Sequence, residues 1–288
     1  MSNPLNDTRE LGQFIPVHYH YNMLFDKARM TGFRNAIDHI VAPGSTVLEL
    51  GGGTGVLSFF SARHAKKVYC VELNLDLVDV ARRLLKENNV GDKVEVVHGD
   101  AFVYLPPEPV DVVVCEMLHV GLLREKQMEV IDSFKKRYHE RFGDPMPYFI
   151  PGATLQAVQP VYHDFVFEGY AAPLVMFQDP YSVSERTTNL GDPVIFHQLQ
   201  YDQPYGMEIN WSGKIPVTAA GKVNALRIIT KNILGFAPET QSIIDWHNQY
   251  MIAPLPQEIP VEPGQTLQVS FDYKAGAPLT AFQPVVKV

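Results

Sequence analysis

A run of closely spaced glycines is the clearest indication of chemistry in this sequence. The apolar segment VLEL, residues 47–50, leads directly into GGGTG, residues 51–55. Glycines at such a turn let the backbone bend sharply and lie close to a ligand. A dinucleotide-binding loop needs Gly-x-Gly-x-x-Gly, and counting from Gly51 this pattern would require a glycine where Val56 stands. The loop therefore predicts a ligand site of another kind.

The spacing that is present, Glu49-x-Gly51-x-Gly53-x-Gly55, resembles motif I of the class I S-adenosylmethionine-dependent methyltransferases. The resemblance implies S-adenosyl-L-methionine as the cofactor, with S-adenosyl-L-homocysteine as product. It also implies that Glu49, Gly51 and Gly53 bind this cofactor.

Two acidic residues follow at the ends of the next two apolar runs. Glu72 ends KKVYCVE, and a carboxylate there can accept hydrogen bonds from both ribose hydroxyls. Asp100 ends KVEVVHGD and is suited to the adenine amino group, with Ala101 next to it. We expect all three residues to bind the cofactor.

The elements that must position these residues alternate between apolar and amphipathic segments up to about residue 145. This alternation predicts a parallel sheet covered by helices on both faces, with the ligand outside the carboxyl ends of the strands. The predicted domain covers residues 1–150 and is Rossmann-like, with an N-terminal helical segment. Its predicted strands are 45–52, 66–73, 93–100 and 110–116, and its predicted helices are 20–40, 55–65, 75–89 and 122–141.

Beyond residue 145, Pro, Gly, aromatic and β-branched residues recur at short spacing, which favours antiparallel strands. The fold class is therefore α/β: a Rossmann-like parallel-sheet methyltransferase domain followed by a mostly antiparallel, β-barrel-like substrate domain over residues 151–288. Residues 262–265 predict a turn. The predicted strands of this half are 154–161, 192–201, 222–233 and 265–273.

Residues 20–36 resemble the segment that precedes motif I in protein arginine N-methyltransferases. The resemblance implies that His20 and Arg29 contact the cofactor, Arg29 at its carboxylate, and that Met23 contacts the acceptor. The matching positions are His20, Met23, Leu24, Asp26, Arg29 and Phe33.

Glu116 and Glu125 have the spacing of the two catalytic glutamates that this family carries on a hairpin called the double-E loop. Two carboxylates can hold a guanidinium, which is always charged near neutral pH, by paired charge-assisted hydrogen bonds. They also draw its positive charge to one side and leave the target nitrogen more nucleophilic. Alternatively, Glu125 opens the predicted helix 122–141 and only favours its dipole. Glu116 leaves a buried strand, where a carboxylate without a task is costly.

The resemblance continues into the second half. FIPGATL, residues 149–155, resembles the family's crossing into its barrel and implies a cis peptide before Pro151. Trp246 and His247 resemble the Thr-His-Trp loop that walls the acceptor channel, in reversed order, and we expect both to contact the acceptor. The family's loop histidine pairs with the aspartate matched by Asp26, so the reversal puts that pairing in question, with His247 as the remaining candidate.

Two departures bear on assembly and acceptor. The family's tyrosine motif falls on Glu10 and Phe14, so both tyrosines are missing. The segment between Leu155 and Ile195 is shorter than the one that carries the family's dimerisation arm. An oligomer is possible but not assured.

Composition limits the partners. With 24 basic and 32 acidic side chains the net charge is −8, which argues against a nucleic-acid coat or an anionic membrane surface and permits a cationic partner. We expect no nucleic-acid partner. We also expect no membrane span, because no apolar run is long enough, and no metal site, because no histidine spacing suits one. Cys70 and Cys115 predict buried, reduced thiols, and a missing secretory signal predicts a cytoplasmic protein.

These features predict an N-methyltransferase of the arginine-methyltransferase type. Its acceptor would be a guanidinium or another cationic nitrogen in a peptide, protein or small molecule. One alternative is a small-molecule N- or O-methyltransferase on the same architecture, for which a His or Lys base beside a neutral cavity would be the sign. Another is a catalytically silent scaffold that only binds the cofactor.

Overall fold

The computed structural model describes Ile15 and residues 17–288. The expectation placed on Glu10 and Phe14 lies outside this part of the chain. The first half contains a parallel sheet in the order β3-β2-β1-β4-β5 with helices packed around it. Its helices are α1 (His20–Phe25), α2 (Lys27–Ile40), α3 (Val56–Ala62), α4 (Leu75–Glu87) and α5 (Gln127–Phe142), and its strands are β1 (Thr46–Leu50), β2 (Lys67–Glu72), β3 (Val94–His98), β4 (Val112–Cys115) and β5 (Tyr148–Ile150).

The sheet forms where the apolar runs predicted it. Every residue of β1 and of β4 is buried, as expected for central strands covered on both faces. The amphipathic α4 buries Val78, Ala81 and Leu85 against the sheet. The strand order reverses between β1 and β4, so a ligand crevice is expected at the carboxyl ends of these two strands.

Two helix predictions were wrong in their limits. The helix predicted over 20–40 is divided into α1 and α2 at Asp26, because the Asp26 side chain accepts the Arg29 backbone N–H at 2.9 Å and caps a new helix. The helix predicted over 122–141 begins at Gln127 instead. Glu125 therefore lies in the loop before the helix rather than opening it, and Val120–Leu122 form a short 3₁₀ turn.

The second half is antiparallel, as predicted. Among the described residues, one sheet runs β10-β6-β13-β15-β9, with β11 and β14 added at β6 and β13, and another runs β12-β16-β17. The sheet path is open, so this half is barrel-like without being closed. The strands are β6 (Ala153–His163), β7 (Val166–Phe167), β8 (Tyr170–Ala171), β9 (Met176–Gln178), β10 (Thr187–Asn189), β11 (Val194–Gln200), β12 (Glu208–Pro216), β13 (Gly221–Ala237), β14 (Ser242–His247), β15 (Tyr250–Val261), β16 (Thr266–Lys274) and β17 (Val285–Lys287).

Several local predictions are confirmed. The peptide before Pro151 is cis, and residues 262–265 form a turn in which the Gln265 N–H donates to the Glu262 carbonyl at 3.2 Å. Cys70 and Cys115 are free and buried. β5 is the last strand of the parallel sheet and β6 the first antiparallel one, so we propose the domain boundary at residue 150. No helix in the described part of the chain is long and apolar enough to cross a membrane.

Candidate active site

A cavity of about 1580 Å³ opens at the carboxyl ends of β1, β2 and β4, and both halves of the chain line it. Pockets for one small ligand typically measure about 300–1,000 Å³, so this cavity has room for a cofactor and an acceptor together. All 13 residues predicted for the site lie in its lining, which comprises His20, Met23, Arg29, Glu49, Gly51, Gly53, Glu72, Asp100, Ala101, Glu116, Glu125, Trp246 and His247.

The glycine loop bends sharply, as its sequence predicted. Gly51 and Gly53 have φ angles of +76° and +54°, which residues with a Cβ rarely adopt. A Cβ on Gly53 would lie 2.8 Å from the His20 ring, and one on Gly51 would lie 3.0 Å from Met117. The loop thus forms a cradle that any side chain would fill.

The Glu72 carboxylate is fixed by backbone donors on both sides. The Gly53 N–H donates to one of its oxygens at 2.8 Å and the Asn74 N–H to the other at 2.8 Å. Each oxygen keeps a further lone pair, which suits a carboxylate that receives a pair of hydroxyls. Asp100 lies on the same side of the cavity and accepts the Phe102 backbone N–H at 2.8 Å.

Arg29 joins the cofactor side of the cavity to the predicted catalytic glutamates. Its Nε donates to Glu116 Oε2 at 2.9 Å, and its Nη2 donates to the same oxygen. Both side chains are more than nine-tenths buried. The contact holds Glu116 by one oxygen, Oε2.

Burial shifts the protonation of three cavity residues. Burial, and next the repulsion from Glu116, raises the pKa of Glu125 to about 8. Burial also raises the pKa of Glu49 to about 7, opposed by the hydroxyl of Ser58 that donates to it. Burial lowers the pKa of His20, against the raising influence of Glu72.

The reversed Trp–His pair changes which residue meets Asp26. The Trp246 indole N–H donates to Asp26 Oδ2 at 3.2 Å, so tryptophan takes the place of the family's histidine. Trp246 is 95% buried and packs its ring on Phe33 at 6.0 Å. The His247 ring lies against those of Tyr181 and Tyr250, and the His247 backbone N–H donates to the hydroxyl of Tyr181 at 3.0 Å. Contact of either residue with an acceptor stays a prediction.

Comparison with known proteins assigns this cavity to a class of enzyme. Residues 47–138 match a family model described as a methyltransferase domain. An uncharacterised protein of Methanothermobacter thermautotrophicus is 30% identical over 92% of this chain and 96% of its own length. Protein arginine N-methyltransferase PRMT10 of Arabidopsis thaliana is 36% identical, over 46% of this chain and 35% of its own length. The Trypanosoma brucei PRMT1 enzyme–prozyme heterotetrameric complex with AdoHcy shares the fold, with a TM-score of 0.75 at 15% identity over 94% of this chain and 97% of that one.

The chain belongs to the class I S-adenosylmethionine-dependent methyltransferases. The residues of the cavity fit the cofactor of this class. Gly51 and Gly53 line the cavity, and the buried Nε2 of His20 has no hydrogen-bond partner in the described structure. We propose that Glu72 holds the ribose, Asp100 the adenine and Arg29 the carboxylate of the methyl donor.

Three ring-bearing residues, His119, Phe177 and Tyr181, are among the residues of the methyltransferase's cavity that were not predicted from the sequence. His119 lies between the two glutamates along the chain, and its ring meets that of Phe177 edge-on at 5.4 Å. Burial lowers the pKa of His119 to about 4, so it is neutral at physiological pH. The ring of Tyr181 meets that of His247 edge-on, with the ring centroids 6.3 Å apart. Of these three residues, only His119 could have been singled out from the sequence, because it lies between Glu116 and Glu125. Phe177 and Tyr181 belong to no motif.

Proposed function

We propose that this methyltransferase transfers a methyl group to a guanidinium or another cationic nitrogen, in the manner of the protein arginine N-methyltransferases. The observation that carries the proposal is the pair Glu116 and Glu125, which line one cavity, where burial and then the charge of Glu116 raise the pKa of Glu125. Two carboxyls in a buried site offer charge-assisted hydrogen bonds to a planar cation.

The chemistry needs little more from the protein than position and charge. When bound, S-adenosylmethionine would supply an electrophilic methyl group carried on a sulfonium. The acceptor nitrogen would take up this methyl group and give its proton to solvent. Glu116, held by Arg29, would fix one N–H of the acceptor through its remaining oxygen. Glu125 would bind a second N–H and draw the positive charge away from the reacting nitrogen. Orientation and electrostatics of this kind supply most of the catalysis in such a scheme.

His119 supports a second candidate, an O-methyltransferase acting on a small molecule. A neutral imidazole in the cavity can accept a proton from a hydroxyl. Its pKa of about 4, however, makes it a weak base at neutral pH. The paired carboxyls favour the cationic acceptor over this alternative.

The test is methyl transfer by the purified full chain to three matched acceptors: an arginine peptide, the same peptide with lysine in place of arginine, and a phenol of similar size. Mass spectrometry should find methyl groups on the arginine peptide or its lysine counterpart, and Glu125→Gln should lose this transfer. Transfer to the phenol alone would favour the second candidate. Failure to methylate any acceptor while the cofactor binds would favour a silent scaffold.

A further inference from the structure

The double-E loop, residues 116–125, has a backbone that its own sequence disfavours. Leu122 and Arg124 have φ angles of +56° and +63°, a region that side chains with a Cβ seldom occupy. Such conformations persist only where the surroundings impose them, and they concentrate at functional sites. Contacts outside the loop must therefore hold it in this shape.

The second half of the chain makes those contacts. Thr230 on β13 accepts the Gly121 N–H at 2.8 Å, and the Tyr273 hydroxyl on β16 donates to the Gly121 carbonyl at 2.8 Å. Asn248, which follows β14, donates from its amide to the Leu118 carbonyl at 3.0 Å. Gly121 lies midway between the two glutamates, and both its N–H and its carbonyl are thus hydrogen-bonded to side chains of residues 151–288, the β half of the chain.

Two backbone hydrogen bonds also fix Leu122 and Arg124, the residues with positive φ. The Arg124 N–H donates to the Ala277 carbonyl at 2.7 Å, and the Leu122 carbonyl accepts the Gly276 N–H at 2.8 Å. The loop that carries Glu116 and Glu125 is attached along its length to strands and turns more than a hundred residues later in the chain.

The side chains that hold the loop are themselves oriented by buried partners. The Thr230 hydroxyl donates to Gln156 at 2.7 Å, so its position is set from both sides. Asn248 accepts the amide of Asn232 at 2.8 Å, and Asn232 in turn accepts the hydroxyl of Thr154 at 3.0 Å. Four of these five side chains are fully buried, and the fifth, Asn248, is 7% exposed. Apart from Gln156 Nε2, which has no hydrogen-bond partner in the described structure, the polar groups of this network are paired, and another geometry would leave more of them unpaired.

We propose that Thr230 and Asn248 are positioning residues for methyl transfer, acting through the double-E loop. They would set the direction in which Glu116 and Glu125 face the acceptor, so that the β half determines the geometry of reacting groups it does not itself supply. This inference rests on the proposed function for the role of the two glutamates. The hold on the loop is a separate property that can be measured without an acceptor.

The experiment compares Thr230→Val, Thr230→Ser and Asn248→Ala with the matched control Thr187→Val. Thr187 lies on β10 of the same sheet, and its hydroxyl bonds to His163 rather than to the loop. Thr230→Val should lower kcat/KM for the acceptor by roughly 10- to 100-fold, the scale of a small misplacement of reacting groups. Calorimetry should find its cofactor affinity unchanged, and Thr230→Ser, which keeps the hydroxyl, should restore turnover.

Hydrogen exchange supplies a readout that needs no acceptor. Amides of residues 117–126 should exchange faster in Thr230→Val and Asn248→Ala than in wild type, and Thr187→Val should leave them unchanged. Unaltered exchange in both loop variants overturns the proposal, as does an equal loss of turnover in Thr187→Val. If Thr230→Val does not fold, Asn248→Ala alone decides. Faster exchange together with turnover only on a neutral acceptor would leave the hold in place and reject the proposed function instead.

Discussion

Arg29 and Glu116 form a buried ion pair that links helix α2 to the loop after β4. Two guanidinium nitrogens of Arg29 share Oε2 of Glu116, with Nε at 2.9 Å. Asp26 caps the helix that carries Arg29, and Asp26 is in turn bonded by Trp246 from the β half. One residue predicted to bind the cofactor thereby orients one predicted to bind the acceptor.

Replacing Glu116 by Gln should greatly reduce turnover while cofactor affinity stays close to that of wild type. The amide oxygen can still accept from Arg29, but the negative charge facing the acceptor is lost. Removing one partner of a buried ion pair outright lowers the free energy of unfolding by about 3–5 kcal/mol, and the isosteric Gln should lower it less. Steady-state kinetics and calorimetry on the same preparation check both parts. Unchanged turnover would remove Glu116 from the mechanism.

The sequence predicted what depends on local pattern. Apolar runs such as 47–50 and 112–115 gave the central strands, and the glycines and strand-end acids marked the cofactor side. The structure departs from that prediction where contacts with distant parts of the chain determine the backbone conformation. The helical pattern of 122–126 is overridden because the β half holds Leu122 and Arg124 at positive φ.

Contacts between distant residues also lay beyond the sequence pattern. Trp246 and Asp26 are 220 residues apart and Arg29 and Glu116 are 87 apart, so no spacing rule connects them. Gly52 illustrates the same limit: its Cβ would lie 2.2 Å from the Cys70 sulfur, so packing as well as a ligand requires a glycine there.

Replacing Glu72 by Ala should weaken cofactor binding. The change removes the predicted ribose contacts, each worth about 1.5–3 kcal/mol as a charged hydrogen bond. It also releases the N–H groups of Gly53 and Asn74, which now donate to this carboxylate, and so loosens the glycine loop. Glu72→Gln is the matched control, because it keeps one acceptor oxygen and should lose less. Equal calorimetric affinity of Glu72→Ala and wild type would reject the assignment.

Replacing Trp246 by Phe should lower the free energy of unfolding by more than about 1 kcal/mol, because it removes one hydrogen bond and also part of a buried ring system. The phenyl ring keeps the contact with Phe33 but has no N–H to donate to Asp26. Urea denaturation measures the difference. Asp26→Ala should cost more, because it removes the cap of α2 as well. Identical stability of Trp246→Phe and wild type would show that the indole hydrogen bond contributes nothing.

The contribution of Glu125 to the stability of the ligand-free protein should fall as pH rises. Its pKa is near 4.5 in the unfolded chain and about 8 in the folded protein, so the folded state holds this proton more tightly. The stabilisation is complete below the unfolded pKa and is lost as pH rises through the folded one. Glu125→Gln cannot ionise, so its melting temperature should decline less than that of wild type between about pH 5 and about pH 9. Parallel curves for the two proteins would contradict the shift.

Binding of a cationic acceptor at neutral pH should release a proton from Glu125. Below pH 8 this carboxyl is mainly protonated in the free site, because of burial and the charge of Glu116. A guanidinium placed beside it favours the ionised form and lowers its pKa, so acceptor affinity should increase with pH until Glu125 is ionised in the free protein. Calorimetry of acceptor binding to the S-adenosylhomocysteine-loaded chain, in buffers of different ionisation enthalpy, counts the protons released. Glu125→Gln should release none, whereas Glu49→Gln, which removes the other cavity carboxyl of raised pKa, should retain the release. Acceptor binding to the wild-type protein without proton release would place the cation away from Glu125.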